Sequence, residues 1–171
     1  NTIQEAIYNA GFNDIIEVAD GIYSGIDNRN IDFQGRQILL KSKNGPLHSI
    51  IDCENEGRGV NFWSYEDHSS ILKGFTIRNA SESGIYCGYS SPVIEDCIIK
   101  NCYSINGGGL ECYSSEVLLR NCMIVENTAE YGGGVLAWSY GDATFYNCTI
   151  AGNTAFSSAG GIYSEGLITI R

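Results

Sequence analysis

Positive charge is scarce in this sequence. Lys and Arg total 10 against 20 Asp and Glu in 171 residues, a formal net charge of −10. Nucleic acid and anionic membrane both call for a basic footprint, so neither is expected as a partner. The acidity reads instead as a means of keeping a long surface soluble. No apolar run is long enough to span a bilayer, so membrane insertion is not expected. Only His48 and His68 are present, isolated from each other, and there is no Cys-x-x-Cys pair or Cys/His cluster, which removes the usual zinc patterns. Beyond the first ten residues, no stretch between Gly, Asn and Ser is long enough for an ordinary helix. Two-residue hairpin turns at the right spacing are also missing, which removes hairpin-built sheets.

What is present is a repeat. From Ile71 to Arg171 one pattern is written four times and begun a fifth. Its copies are Leu72-Lys73-Gly74-Phe75-Thr76-Ile77, Ile94-Glu95-Asp96-Cys97-Ile98-Ile99, Leu119-Arg120-Asn121-Cys122-Met123-Ile124 and Phe145-Tyr146-Asn147-Cys148-Thr149-Ile150. The Phe/Cys position, at 75, 97, 122 and 148, recurs at intervals of 22, 25 and 26 residues. Each copy then reaches an asparagine (Asn79, Asn101, Asn127, Asn153), a glycine and a short β segment. A period of this size signals a repeat architecture. Three short β stretches per copy form a coil, so that each strand lies parallel to its counterpart one coil away, at about 4.8 Å, and like residues stack on like. The reading is all-β: a parallel β-helix with three strands per coil and about six or seven coils.

The stack predicts inward columns: Leu72/Ile94/Leu119/Phe145, Phe75/Cys97/Cys122/Cys148, Ile77/Ile99/Ile124/Ile150 and Ile85/Leu110/Val135/Ile162. The four asparagines are expected as one file at a bend, bonding to the turn and to each other. Seven Cys is an odd number, but Cys97, Cys122 and Cys148 recur at the repeat period, with Cys87 and Cys112 in a shorter inward file. Mostly free, buried thiols are therefore expected, with an isolated disulfide as the alternative. Residues 2–11 read as a short capping α-helix, with Thr2 as N-cap, Glu5 three residues later and Gly11 at the end. Residues 12–70 read as irregular first coils and 71–171 as the regular repeats, within a single domain.

The unit Asn147-Cys148-Thr149 … Asn153-Thr154-Ala155 … Gly160-Gly161-Ile162, with the opening Thr2-Ile3-Gln4-Glu5-Ala6-Ile7 and Asp14-Ile15-Ile16-Glu17-Val18, resembles the pectate-lyase-like superfamily of right-handed parallel β-helices. The likeness is nearest to members with polymorphic outer-membrane-type repeats, and covers nearly the whole chain. It implies a right-handed coil and export, hence a secreted or cell-surface protein. It does not select a function, since the superfamily hosts lyases, hydrolases, adhesins and binding modules. The chain reads as a mature product or a piece of a longer protein. Its last coil, begun at Leu167, is expected to meet further chain or to pack end to end on another copy.

Outward positions are where function is expected. Alternation along the third strand sends Trp63, Tyr113 and Trp138 out, with Gly88-Tyr89 in the corresponding place, Tyr86 and Tyr163 two residues earlier, and Tyr65 and Tyr140 just beyond, an aromatic strip along one flank. Trp63, Tyr89, Tyr113 and Trp138 are the candidate carbohydrate platform, because aromatic faces stack on the C–H faces of sugar rings; polysaccharide or a surface glycan is the expected partner. A second outward column, Lys73/Glu95/Arg120/Tyr146/Arg171, reads as an alternating charge file. The resemblance implies that a lyase would use acids to hold Ca²⁺ and an Arg or Lys as base, and Glu95, Asp96 and Arg120 are the nearest approach. A glycoside hydrolase needs paired carboxylates, and no paired-Asp motif is present. Asp52, Glu54 and Glu56 read as a solvated turn, with weak Ca²⁺ binding as the alternative. No catalytic residue, resident metal or cofactor is expected. The reading is a non-catalytic module or spacer; the alternative is a fragment of a polysaccharide lyase or glycoside hydrolase acting on acidic polysaccharide.

Overall fold

The structure is a computed structural model describing residues 2–171. Short strands wind into a parallel solenoid. Its first sheet takes Ile15–Val18, Leu39–Ser42, Ile71–Lys73, Val93–Glu95, Glu116–Arg120, Asp142–Tyr146 and Ile168–Ile170, side by side in chain order. The second takes Gly21–Tyr23, Ser49–Asp52, Thr76–Arg78, Ile98–Lys100, Met123–Val125 and Thr149–Ala151. The third takes Ile31–Asp32, Arg58–Phe62, Ser83–Gly88, Leu110–Tyr113, Val135–Trp138 and Ile162–Ser164.

Register follows the repeat. Leu72 lies opposite Ile94, Ile94 opposite Leu119, and Leu119 opposite Phe145. Ile77, Ile99, Ile124 and Ile150 follow one another in the second sheet, and Ile85, Leu110, Val135 and Ile162 in the third. All are fully buried except Ile150 and Ile162 in the last coil, which are half-buried. Each such side chain contributes about 1.5–3 kcal/mol relative to exposure, and stacking makes the core one continuous column. All seven cysteines are free thiols; six are buried, and Cys148 is half-buried. Burial drives the Cys97 and Cys102 thiols up to about 12, so they behave as apolar filling.

The helix Ile3–Asn9 covers one end. The Thr2 hydroxyl accepts from the Glu5 amide, and Ile3 and Ile7 pack into the core. Gln4 pairs with an exposed strand end, its amide oxygen accepting from the Asp32 N–H at 2.8 Å and its amide nitrogen donating to the Asp32 carbonyl at 3.1 Å. The side chain thus imitates a neighbouring strand where the first coil has none.

The corners differ from the sequence reading. The expected single file of asparagines is two files. Asn79 and Asn101 come two residues after Ile77 and Ile99, at φ +58° and +53°, with Glu126 at +57° and Gly152 at +65° in the same left-handed place. Asn127 and Asn153 come three residues after their isoleucines, where Ala80 and Cys102 stand in earlier coils. There Asn127 donates to the Ile99 carbonyl and to Asn153 Oδ1, both at 3.0 Å, and accepts from the Cys102 N–H at 3.0 Å. A further outer file, Asp96, Asn121 and Asn147, lines the other corner, with amide-to-oxygen bonds of 3.0 and 2.9 Å between successive members. Gly74 holds the same corner at φ +79°.

A fourth strand per coil also appears in the later repeats. Tyr103–Asn106, Thr128–Tyr131 and Thr154–Ala155 form a small parallel sheet of their own. It occurs where the repeat lengthens from 22 to 25 and 26 residues; the extra residues leave the coil and return alongside it.

Candidate ligand-binding groove

Alternation along the third sheet gives it an inward file and an outward file. The outward file, in register, is Asn61, Tyr86, Glu111, Leu136 and Tyr163. Outward should mean wet, yet Asn61, Glu111 and Leu136 are only 2%, 5% and 4% exposed. For Glu111 and Leu136 the small fourth sheet is the reason. It stands as a wall along one side of the file, and the aromatic corner stands along the other. Between them runs a groove. One section, about 480 Å³, is lined by Arg58, Glu82, Tyr103, Ile105 and Asn106 with Glu111 at its side. The next, about 200 Å³, shares Asn106 and is lined by Tyr131, Leu136, Trp138, Tyr163 and Glu165.

Glu111 is the chemically unusual residue. Its Oε1 accepts from the Trp138 indole N–H at 3.3 Å, and its Oε2 lies 3.5 Å from the Ser83 hydroxyl. Ser83 has one proton and nearer acceptors in the Asn106 carbonyl at 3.1 Å and Ser104 Oγ at 3.2 Å. Glu111 Oε2 is therefore poorly served. Burial pushes the Glu111 carboxyl above the usual carboxylate range, with Arg58, Trp138 and Ser83 pulling the other way. Arg58 is divided: Nη1 lies 3.4 Å from Glu82 Oε2, the guanidinium sits 4.7 Å over the Tyr86 ring, and its buried Nε has no partner among the described residues. Asn61 Oδ1, on the same file, is likewise buried and unpartnered. Gly88 makes room for this packing, since a Cβ there would come within 2.5 Å of the Tyr86 hydroxyl.

The aromatic flank is a connected line. Ring centroids lie 6.4 Å apart for Tyr65–Tyr89, 5.2 Å for Tyr89–Tyr113 and 5.0 Å for Tyr113–Trp138. Of the four residues named from the sequence, the structure brings Tyr89, Tyr113 and Trp138 together and sets Trp63 apart. Gly88 falls between Trp63 and Tyr113 in the stack, and the Trp63 indole N–H donates to Asp32 Oδ2 at 3.0 Å. Tyr65 joins the line instead. Tyr65 and Tyr89 have φ of +63° and +53°, a left-handed conformation that large side chains rarely adopt. Buried Glu66 holds that corner: its oxygens accept from the Gly35 N–H, the Ser64 N–H and the Ser90 hydroxyl, each at 2.8 Å. Trp138 connects line and groove, its ring in one and its N–H bound to Glu111 in the other.

A family model of right-handed β-helix regions matches residues 1–154. The chain belongs to the right-handed β-helix family. Searches of curated proteins and of solved structures return no match to it. The coil of this β-helix is thus right-handed, as the resemblance implied.

The remaining candidates on the β-helix are ion pairs. Lys73 lies 3.2 Å from Glu95 and 3.3 Å from Asp96, and Arg120 lies 2.9 Å from Glu95, so the charge file neutralises itself between coils. In the acidic run of the early coils, Arg78 pairs with Asp52 at 2.8 Å, and Arg29 pairs with Glu54 and Glu56. Among the described residues, no three His, Cys, Asp or Glu side chains converge as a metal-ligand set. No helix among them is long and apolar enough to cross a membrane. Alternation marked Glu111 as outward, but its burial depends on a wall sheet that only the lengthened coils reveal.

Proposed function

We propose that this β-helix is a non-catalytic, secreted or cell-surface module that binds carbohydrate in the groove beside its aromatic line. The observation that carries the reading is Trp138, whose ring continues Tyr65–Tyr89–Tyr113 and whose N–H meets the Glu111 carboxylate. Sugar rings need an aromatic face for their C–H surface and nearby polar groups for their hydroxyls, and here both lie along one axis. Successive positions in the line repeat at the coil spacing of about 4.8 Å, close to the length of one pyranose unit. A glycan array tests the proposal. Wild type binds at least one oligosaccharide class, and Trp138→Ala loses that signal; an empty array, or a variant that binds equally well, removes it.

A second reading, a polysaccharide hydrolase or lyase, is favoured by Glu111 alone. A carboxyl raised by burial is what a general acid requires, but it needs a second carboxylate across the bond. The other acid lining that section of the groove, Glu82, is already paired with Arg58. Incubation with acidic and neutral polysaccharides plus Ca²⁺, followed by assay for new reducing ends or unsaturated products, separates the two readings.

A further inference from the structure

Taking carbohydrate binding as the function of the groove, we infer that its ligand is a glycan bearing a protonated amine, and that Glu111 is the residue that receives the ammonium. Three observations lead there. Glu111 is 5% exposed, lines the larger section of the groove, and makes only two long hydrogen bonds, at 3.3 and 3.5 Å. A buried carboxylate so weakly partnered carries a desolvation cost that an incoming cation removes. The upward displacement of its carboxyl by burial is the same cost seen through titration.

The charge around the groove has one dominant sign. Glu82, Glu111 and Glu165 line it, and Arg58 is the cation set against them. Arg58 is already shared, with Glu82 at 3.4 Å and the face of Tyr86 at 4.7 Å. In a chain of net charge −10, a uronate polymer would enter against repulsion, whereas an ammonium group is drawn in. The Trp138 ring, in the adjoining section of the groove, also suits a cation, since ring faces attract positive charge.

The experiment compares three probes on the intact 171-residue chain by calorimetry, at a pH that keeps the amine charged: a glucosamine oligomer, the same oligomer fully N-acetylated, and an oligogalacturonate. The expected result is that the free-amine oligomer binds at least tenfold tighter than its N-acetylated form, that the uronate does not bind, and that added salt weakens the amine complex. Glu111→Gln, checked for folding by its thermal transition, levels the two amino-sugar affinities. If the N-acetylated oligomer binds as tightly in wild type, or the uronate binds best, the inference is overturned while carbohydrate binding stands. A Glu111→Gln variant that keeps the tenfold preference overturns the assignment to Glu111. If none of the three binds and an array is also empty, the inference and the function beneath it fall together.

Discussion

Two buried glutamates on the same flank of the coil, Glu66 and Glu111, are built in opposite ways. Glu66 is 2% exposed and accepts three hydrogen bonds of 2.8 Å, from the Ser64 N–H beside it and from the Gly35 N–H and Ser90 hydroxyl on the coils either side. Glu111 is 5% exposed and has two bonds beyond the usual length. Burial costs are similar for both, but only Glu66 recovers them within the protein. A carboxylate with a full set of short bonds is a structural rivet. One with room beside it and weak partners is a place for something else to bind. The two should therefore respond to mutation with opposite sign.

The largest effect is expected at Glu66. Glu66→Ala leaves the half-buried Gly35 and Ser64 N–H groups and the buried Ser90 hydroxyl without this acceptor, at a cost of up to about 3 kcal/mol. Urea denaturation measures it. The same variant releases Tyr65 and Tyr89 from their left-handed corner, so glycan binding should weaken even where the protein stays folded. If Glu66→Ala is as stable as wild type, the distinction between the two glutamates is lost.

Arg58→Met comes next. Met keeps an apolar stem over Tyr86 and removes the cation that pairs with Glu82 and whose charge lowers the Glu111 carboxyl. The variant should lose about 1–2 kcal/mol at neutral pH, the usual scale for stranding a buried charge. The Glu111 carboxyl should rise further, because Arg58 is what pulls it down. The loss should shrink as pH falls and Glu111 takes up its proton.

How far these residues could be seen in the sequence follows from which forces are local. Leu72, Ile94, Leu119 and Phe145 were legible because stacking forces equivalent positions to repeat. Trp138 and Tyr113 were legible as outward residues because strand alternation is local. The asparagine files were not, because Asn101 and Asn127 differ by one position within the turn and Cys102 stands where an asparagine would be. The wall strands carry too few residues, and too little alternation, to announce themselves; Thr128-Ala129-Glu130-Tyr131 could be any loop. Their one signal was the lengthened repeat. Glu111 depends on that wall, so its burial was out of reach; Tyr65 was legible as a member of the aromatic strip, but the departure of Trp63 from it was not, since that turns on a glycine and on a bond to Asp32.

Glu111→Gln sharpens the comparison by its sign. Wild-type Glu111 has a raised folded-state carboxyl, so its contribution is fully present below the unfolded value of about 4.3 and is lost as pH rises through the folded value. Gln cannot ionise. The variant should match wild type near pH 4 and exceed it at pH 7–8. Thermal melts at both pH values measure the difference. A variant less stable than wild type at neutral pH would mean that Glu111 is a rivet like Glu66.

The smallest effect is expected on the charge file of the first sheet. Glu95 receives Lys73 at 3.2 Å and Arg120 at 2.9 Å, so it has better ionic partners than Glu111. Yet Lys73 and Arg120 are 43% and 49% exposed, and water takes over when the pair is broken. Glu95→Gln should therefore cost no more than about 0.5 kcal/mol, a difference that disappears in high salt. Lys73, held up chiefly by its hydrogen bond to Glu95, should titrate closer to its ordinary value in the variant. Its share of stability, present below the unfolded lysine value and lost as pH rises through the folded one, should fall away with it. Denaturation of wild type and variant at low and high salt measures this. A loss as large as that of Arg58→Met would mean that exposed pairing between coils, rather than the buried column, carries the stability of the stack.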